Sequence, residues 1–148
     1  MIKIRRALIE DLIQIADLFN LYRIYYRKTS DVHSASEFLK QRIEKDESVI
    51  FVAEDNELNL VGFVQLYPIF SSTRMKRLWL VNDLYVKEEN RSQGISKVLM
   101  EAAQEYARET HSAGLILETA KDNYIGNQLY PRVGFTLDEE HNYYSWEP

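Results

Sequence analysis

The 148 residues carry 18 Lys and Arg against 23 Asp and Glu, a net charge of −5, with 45% hydrophobic residues, 5 Gly, 3 Pro and no Cys. Such a chain fits one folded domain that buries roughly two thirds of its unfolded surface without covalent staples, and its composition is wrong for disorder. Without cysteine it has no disulfide, thiolate metal site or cysteine acyl-enzyme; the acidic balance argues against nucleic acid as partner, and no apolar run approaches the ~20 residues of a membrane span.

Residues 2–6 alternate like a short strand, and Leu12, Ile15, Ala16, Phe19 and Tyr22 recur at helical spacing within residues 10–26. Ser34 or Ser36 is placed to cap a second helix running to about residue 45. Residues 49–53 read as a buried strand, Asp55-Asn56-Glu57 as a turn, and residues 60–67 as the returning arm of a hairpin. A third strand over residues 77–86 holds Asn82 and Asp83 in its middle. With a period of two, their side chains face opposite sides, so only one of them can aim directly at a cleft.

Ile95, Val98, Leu99, Ala102, Ala103 and Tyr106 form the clearest amphipathic stripe and predict a helix over residues 94–109. Residues 115–119 predict another strand, residues 125–133 a helix ending before Gly134, and residues 136–137 with 143–146 a closing strand pair. This order predicts a mixed α/β layer with covered faces. The first residues lack the apolar core and cleavage site of a signal peptide, which makes the cytoplasm the expected location. The three His are too scattered to suggest a zinc site.

Between the third strand and the amphipathic helix stands Arg91-Ser92-Gln93-Gly94-Ile95-Ser96-Lys97. A helix N-terminus leaves backbone N–H groups unpaired and carries partial positive charge, and a glycine lets an anion approach them closely. Here Gly94 would let the backbone wrap an anion, Ser96 would add a hydroxyl, and Arg91 or Lys97 would add charge. Taken alone, the same residues also suit an ordinary glycine-containing turn with solvated basic neighbours. The run is neither a P-loop nor the three-glycine dinucleotide fingerprint.

Leu84-Tyr85-Val86, a four-residue turn and then residues 91–96 resemble the strand end and the Arg/Gln-x-x-Gly-x-Gly/Ala pyrophosphate loop of the GNAT superfamily of N-acetyltransferases. Asn123, Gly126, Leu129-Tyr130 and Gly134-Phe135 resemble its second signature, at the expected separation. One departure is Ser96, where Gly or Ala is usual. The resemblance spans essentially the whole chain. It implies one N-acetyltransferase domain over residues 1–148, built on a single mixed, mostly antiparallel twisted sheet of six to seven strands flanked by about four helices. It also implies acetyl-CoA as co-substrate and a homodimer.

Carried over residue by residue, the resemblance places the coenzyme's pyrophosphate on the N–H groups of residues 92–97 and its amide-bearing arm along Leu84, Tyr85 and Val86. The N–H of Tyr85 or Val86 becomes an oxyanion donor, and no side-chain nucleophile is needed. An alkyl ammonium near pKa ~10.4 costs about 4–5 kcal/mol to deprotonate at neutral pH, so a proton acceptor is required. Asp83 is the candidate, with Asn82 and Tyr26 beside the substrate. Tyr130 corresponds to the family's proton donor to the leaving thiolate, and Asn123 to a residue that contacts the coenzyme arm.

The string from Trp79 to Val86 resembles the spermidine/spermine-like branch, which implies a small cationic amine acceptor, polyamine-like or amino-acid-like. Protein lysines and aminoglycosides stand behind it. A CoA-binding sensor without useful catalysis is the alternative of another class. Tyr22, Tyr25, Tyr26, Tyr143, Tyr144 and Trp146 are the aromatic candidates for holding an alkyl ammonium, with Asp31, Glu37 and Asp138-Glu139-Glu140 as acidic attractants. His33, His111 and His141 carry no expected role.

Overall fold

In the computed structural model, which describes residues 1–148, strand β1 (Lys3–Arg6) pairs antiparallel with β2 (Val49–Glu54), β2 with β3 (Leu60–Ser71), and β3 with β4 (Lys76–Val86). A short β5 (Leu115–Ile116) runs parallel to β4, which completes one five-stranded sheet in the order β1-β2-β3-β4-β5. These strands belong to the first of two compact units, Met1–Glu118; the second is Thr119–Pro148.

Five strands replace the expected six to seven. Residues 136–137 and 143–146 form no ladder. The Asp138 carboxylate accepts the N–H groups of Glu140 at 2.9 Å and His141 at 3.1 Å, and it pairs with the His141 ring at 2.8 Å. These local bonds fold the backbone into a turn there. Strand-forming side chains need a partner backbone to make a strand. The strand expected over residues 115–119 likewise keeps only its first two residues.

Three helices belong to the first unit. After a 3-10 turn at Ile9–Asp11, α1 spans Leu12–Tyr25, α2 spans Val32–Glu44, and α3 spans Ile95–Glu109. Helix α4 (Tyr124–Arg132) lies in the second unit. The cap of α2 is Asp31, in place of Ser34 or Ser36: its carboxylate accepts the Ser34 N–H at 3.0 Å. A carboxylate serves there both as acceptor and as counter-charge to the helix dipole.

The sheet of the first unit is covered on both faces. Alternation along β2 and β3 sends Ile50, Val52 and Phe63 into a core with Ile15, Ala16 and Leu18 of α1 and Leu39 of α2. Phe51 turns to the other face and meets Tyr106 of α3, ring centroids 5.6 Å apart, while Trp79 meets the same tyrosine at 5.2 Å. Leu99, Met100 and Ala103 of α3 are fully buried. The amphipathic stripe read from the sequence thus lies largely on the buried face of α3, with Val98 the exposed exception.

Entry into α1 is fixed by a three-residue ion cluster. Arg5 forks onto both oxygens of Asp11 at 2.8 Å and reaches Glu54 Oε2 through Nε at 2.9 Å. Its guanidinium holds the Asp11 carboxyl below the usual range.

Candidate active site

The centre of β4 departs from simple alternation. Gln65 of β3 lies opposite Asp83 but Leu66 lies opposite Val81, so Asn82 is an extra residue, a β-bulge. The bulge overturns the expectation that Asn82 and Asp83 point to opposite sides. The exposed Asn82 amide donates to Asp83 Oδ1 at 3.2 Å, and the two side chains lie together.

Asp83 is only 5% exposed. Its Oδ2 accepts Nε2 of Gln65 at 2.7 Å, and the same nitrogen reaches the Tyr67 hydroxyl at 3.2 Å. Gln65 is itself fully buried, and its Oε1 has no hydrogen-bond partner. The Tyr22 hydroxyl reaches the Asn82 carbonyl at 3.5 Å. Burial pushes the Asp83 carboxyl above its ordinary value, while bonds from Gln65, Asn82 and Tyr22 pull it part of the way back. Burial, with the Asp83 charge beside it, pushes the Tyr67 phenol up to about 12. A carboxylate raised in this way is a better proton acceptor than a solvated one.

Asp83 lines a cleft of about 420 Å³ with Phe19, Tyr22, Arg23 and Tyr26 of α1 and the following turn, and with Lys28. Tyr26 lies edge-on to Tyr22, with ring centroids 5.0 Å apart. Tyr25 instead turns to Arg91. Tyr143, Tyr144 and Trp146 are exposed residues of the second unit. The cleft's charged lining, apart from Asp83, is basic, whereas acidic attractants were expected.

The loop before α3 offers backbone donors. Ser92 and Gly94 take left-handed conformations, φ 62° and 77°, and no side chain caps the helix. Arg91 N–H donates to Glu88 and Val98 N–H to Gly94, but between them the N–H groups of residues 92–97 donate to no acceptor of the chain. A Cβ on Gly94 would meet nothing within 4 Å, so the turn is open on that side. This donor set fits the pyrophosphate of acetyl-CoA.

Both basic residues of the loop have partners within the chain. Arg91 donates through Nε to the Val86 carbonyl at 3.0 Å and lies over the rings of Tyr25 and Tyr85, at 5.3 and 5.5 Å. Its first structural task is to tie the loop to the end of β4. Lys97 pairs with Glu101 at 3.7 Å on the exposed side of α3, a contact worth little. The half-buried Ser96 follows Ile95, whose buried side chain anchors the first turn of α3.

Beta pairing between β4 and β5 is confined to Trp79 and Leu80. Beyond them, the strand through Leu84, Tyr85 and Val86 has β3 on one side and no strand on the other. An open edge of this kind can pair with the amides of an extended ligand.

In the second unit, Asn123 caps α4. Its Oδ1 accepts the Gly126 N–H at 3.1 Å and its Nδ2 donates to Thr119 Oγ1 at 2.8 Å. A Cβ at position 126 would lie 2.5 Å from Asn123 Nδ2 and 3.2 Å from Tyr130 Cε2, so a larger residue would displace the capping amide. Tyr130 is half-buried, with its ring edge-on to Phe135 at 6.0 Å.

Sequence reasoning passed over Gln65, Tyr67, Arg23 and Lys28. For Gln65 a signal existed: it is the one strongly polar side chain in the run Leu60-Val61-Gly62-Phe63-Val64-Gln65-Leu66, and a lone amide in a buried strand calls for a polar partner.

Residues 13–135 match the model of the acetyltransferase (GNAT) family. An uncharacterized N-acetyltransferase of Bacillus subtilis, YhfO, is 44% identical over 135 residues, 91% of this chain and 90% of that one. A probable acetyltransferase of known crystal structure is 39% identical and superposes with a TM-score of 0.94 over 99% of this chain and 97% of the other. A predicted acetyltransferase of Clostridium acetobutylicum, solved with acetyl-CoA, shares the fold at 16% identity, with a TM-score of 0.79 over 98% of this chain and 96% of its own. The mixed sheet and four helices are those of the GNAT α/β fold, and the chain belongs to the acetyltransferase (GNAT) family of acyltransferases, whose members use acetyl-CoA.

Proposed function

We propose that the protein moves an acetyl group from acetyl-CoA directly onto the primary amine of a small acceptor seated in the Asp83 cleft. The observation that carries this reading is a buried carboxylate with a raised pKa, held at the bulge of β4 and open to a cleft walled by aromatic rings. Acetyl-CoA supplies the acetyl group as an activated thioester.

Each residue then has a task. The N–H groups of residues 92–97 hold the coenzyme pyrophosphate, and the open edge at Leu84, Tyr85 and Val86 holds its amide-bearing arm. The N–H of Tyr85 or Val86 stabilises negative charge on the acyl oxygen. Asp83, directly or through water, takes a proton from the acceptor ammonium and frees its lone pair. Gln65 and Asn82 hold the carboxylate in place while it does so. Tyr130 returns a proton to the departing thiolate; the transfer from a phenol near ~10 to a thiol near ~8.5 runs uphill by about 2 kcal/mol unless it is concerted with release.

Calorimetry with acetyl-CoA, paired with detection of free thiol against a panel of polyamines, amino acids, lysine peptides and aminoglycosides, tests the proposal. Coenzyme binding with thiol release for a small amine is the expected result. Tight coenzyme binding without release for any amine would leave only a sensor module.

A further inference from the structure

We infer that the acceptor is zwitterionic: a small molecule that carries a carboxylate near its reactive amine, as an amino acid does, with Arg23 and Lys28 holding that carboxylate. This rests on the reading of the Asp83 cleft as the acceptor site and narrows the substrate class.

The cleft is a two-pole surface. Its six lining residues are three aromatic rings, one buried carboxylate and two cations, Arg23 and Lys28. Neither cation forms an ion pair with Asp83, whose carboxyl is bonded instead by Gln65 and Asn82. Asp83 therefore does not neutralise the two cations that line the same cleft.

The basic pole is also partly preorganised. Arg23 Nη1 donates to the Thr29 carbonyl at 3.0 Å, which steadies the guanidinium and leaves the rest of its fork unused. Asp31, an acidic side chain near Arg23, is engaged as the cap of α2 on the Ser34 N–H. Lys28 makes no ion pair and is exposed. A polyamine bound by its reactive end at Asp83 would bring its remaining ammonium groups toward two like charges. An acceptor with a carboxylate would meet them with the opposite sign, and an Arg fork suits a carboxylate's paired oxygens. A volume of about 420 Å³ is enough for a molecule of this size.

The test compares amino acids with their carboxamides, which keep the amine and remove the negative charge. With acetyl-CoA present, wild-type protein should favour the free acid by about tenfold or more in kcat/KM, and mainly through KM. Lys28→Gln and Arg23→Gln should each erode that preference, lowering kcat/KM for the free acid more than for the carboxamide. Lys28→Gln serves as the independent variant, because Arg23→Gln also loosens the Thr29 contact. Equal use of acid and amide by wild type, or a preference untouched by both substitutions, would overturn the inference. If no amine releases thiol, the acetyl-transfer reading fails separately, and the same pairs are compared by calorimetry on the CoA-loaded protein. Preferential binding of the acid, lost in the variants, would then uphold the two-pole cleft, and equal binding would dismiss it.

Discussion

Two polar places in the first unit are built by opposite means. The loop of residues 92–97 is exposed backbone, shaped by two left-handed residues, with its N–H groups turned to no partner in the chain. The bulge at Asn82 and Asp83 is a set of wired side chains whose key carboxylate and amide are buried. Backbone donors are insensitive to which side chains surround them, so they suit a co-substrate shared by a whole family. A buried carboxylate is unstable on its own account and is useful only where a proton must move. Affinity for the coenzyme and speed of the reaction should therefore respond to different residues.

Asp83→Asn should separate the two most sharply. Turnover should fall by about 10³-fold, within the range for a lost general base, while calorimetry shows acetyl-CoA affinity close to wild type. Stability should move the other way. The folded-state pKa of Asp83 lies above its ordinary 3.8, so ionisation opposes folding as pH rises through the folded value. The variant should melt higher than wild type above that pH, with the advantage fading toward pH 3.8 and below. A thermal-melt series across pH checks this, and equal melting at every pH would contradict the burial argument.

Tyr130→Phe should lower turnover by about 10²-fold with little change in coenzyme binding; unchanged turnover would remove its role as proton donor. Gly94→Val should invert the pattern. A Cβ there meets open space, so the cost is backbone alone, about 1–2 kcal/mol for a left-handed branched residue. The coenzyme Kd should weaken about tenfold, with turnover at saturation nearly unchanged.

The smallest effect is a shift in pH. Gln65→Met removes the bond that draws the Asp83 pKa down, so that pKa should rise further. The acid limb of the kcat/KM profile should move to higher pH by about one unit, lowering the rate at acidic pH and sparing it where Asp83 is fully ionised. A limb that stayed in place would show that another group sets it.

How much of this was legible in the sequence follows the same division. The loop was readable because glycine, a preceding strand and an amphipathic helix are local signals. The bulge was not, because the extra residue exists only in the register between β3 and β4, which no single-strand pattern encodes. Arg91 had the right place for a ligand charge, but its bond to the Val86 carbonyl arises from the fold. The aromatic residues near the C-terminus had strand propensity without a partner strand. Arg23 and Lys28 carry no local sequence signal, and only the packing around Asp83 brings them to one cleft.

Arg91 lies over Tyr25 at the end of α1 and over Tyr85 on β4, and it holds the Val86 carbonyl where the loop departs. One guanidinium thus joins the proposed coenzyme cradle to the helix that carries Tyr22, Arg23 and the approach to Tyr26. The two halves of the site are not independent modules. A change of acceptor achieved by redrawing the end of α1 must keep a flat ring at position 25 or rebuild the donor side as well, and this restricts the routes by which this scaffold can acquire a new substrate.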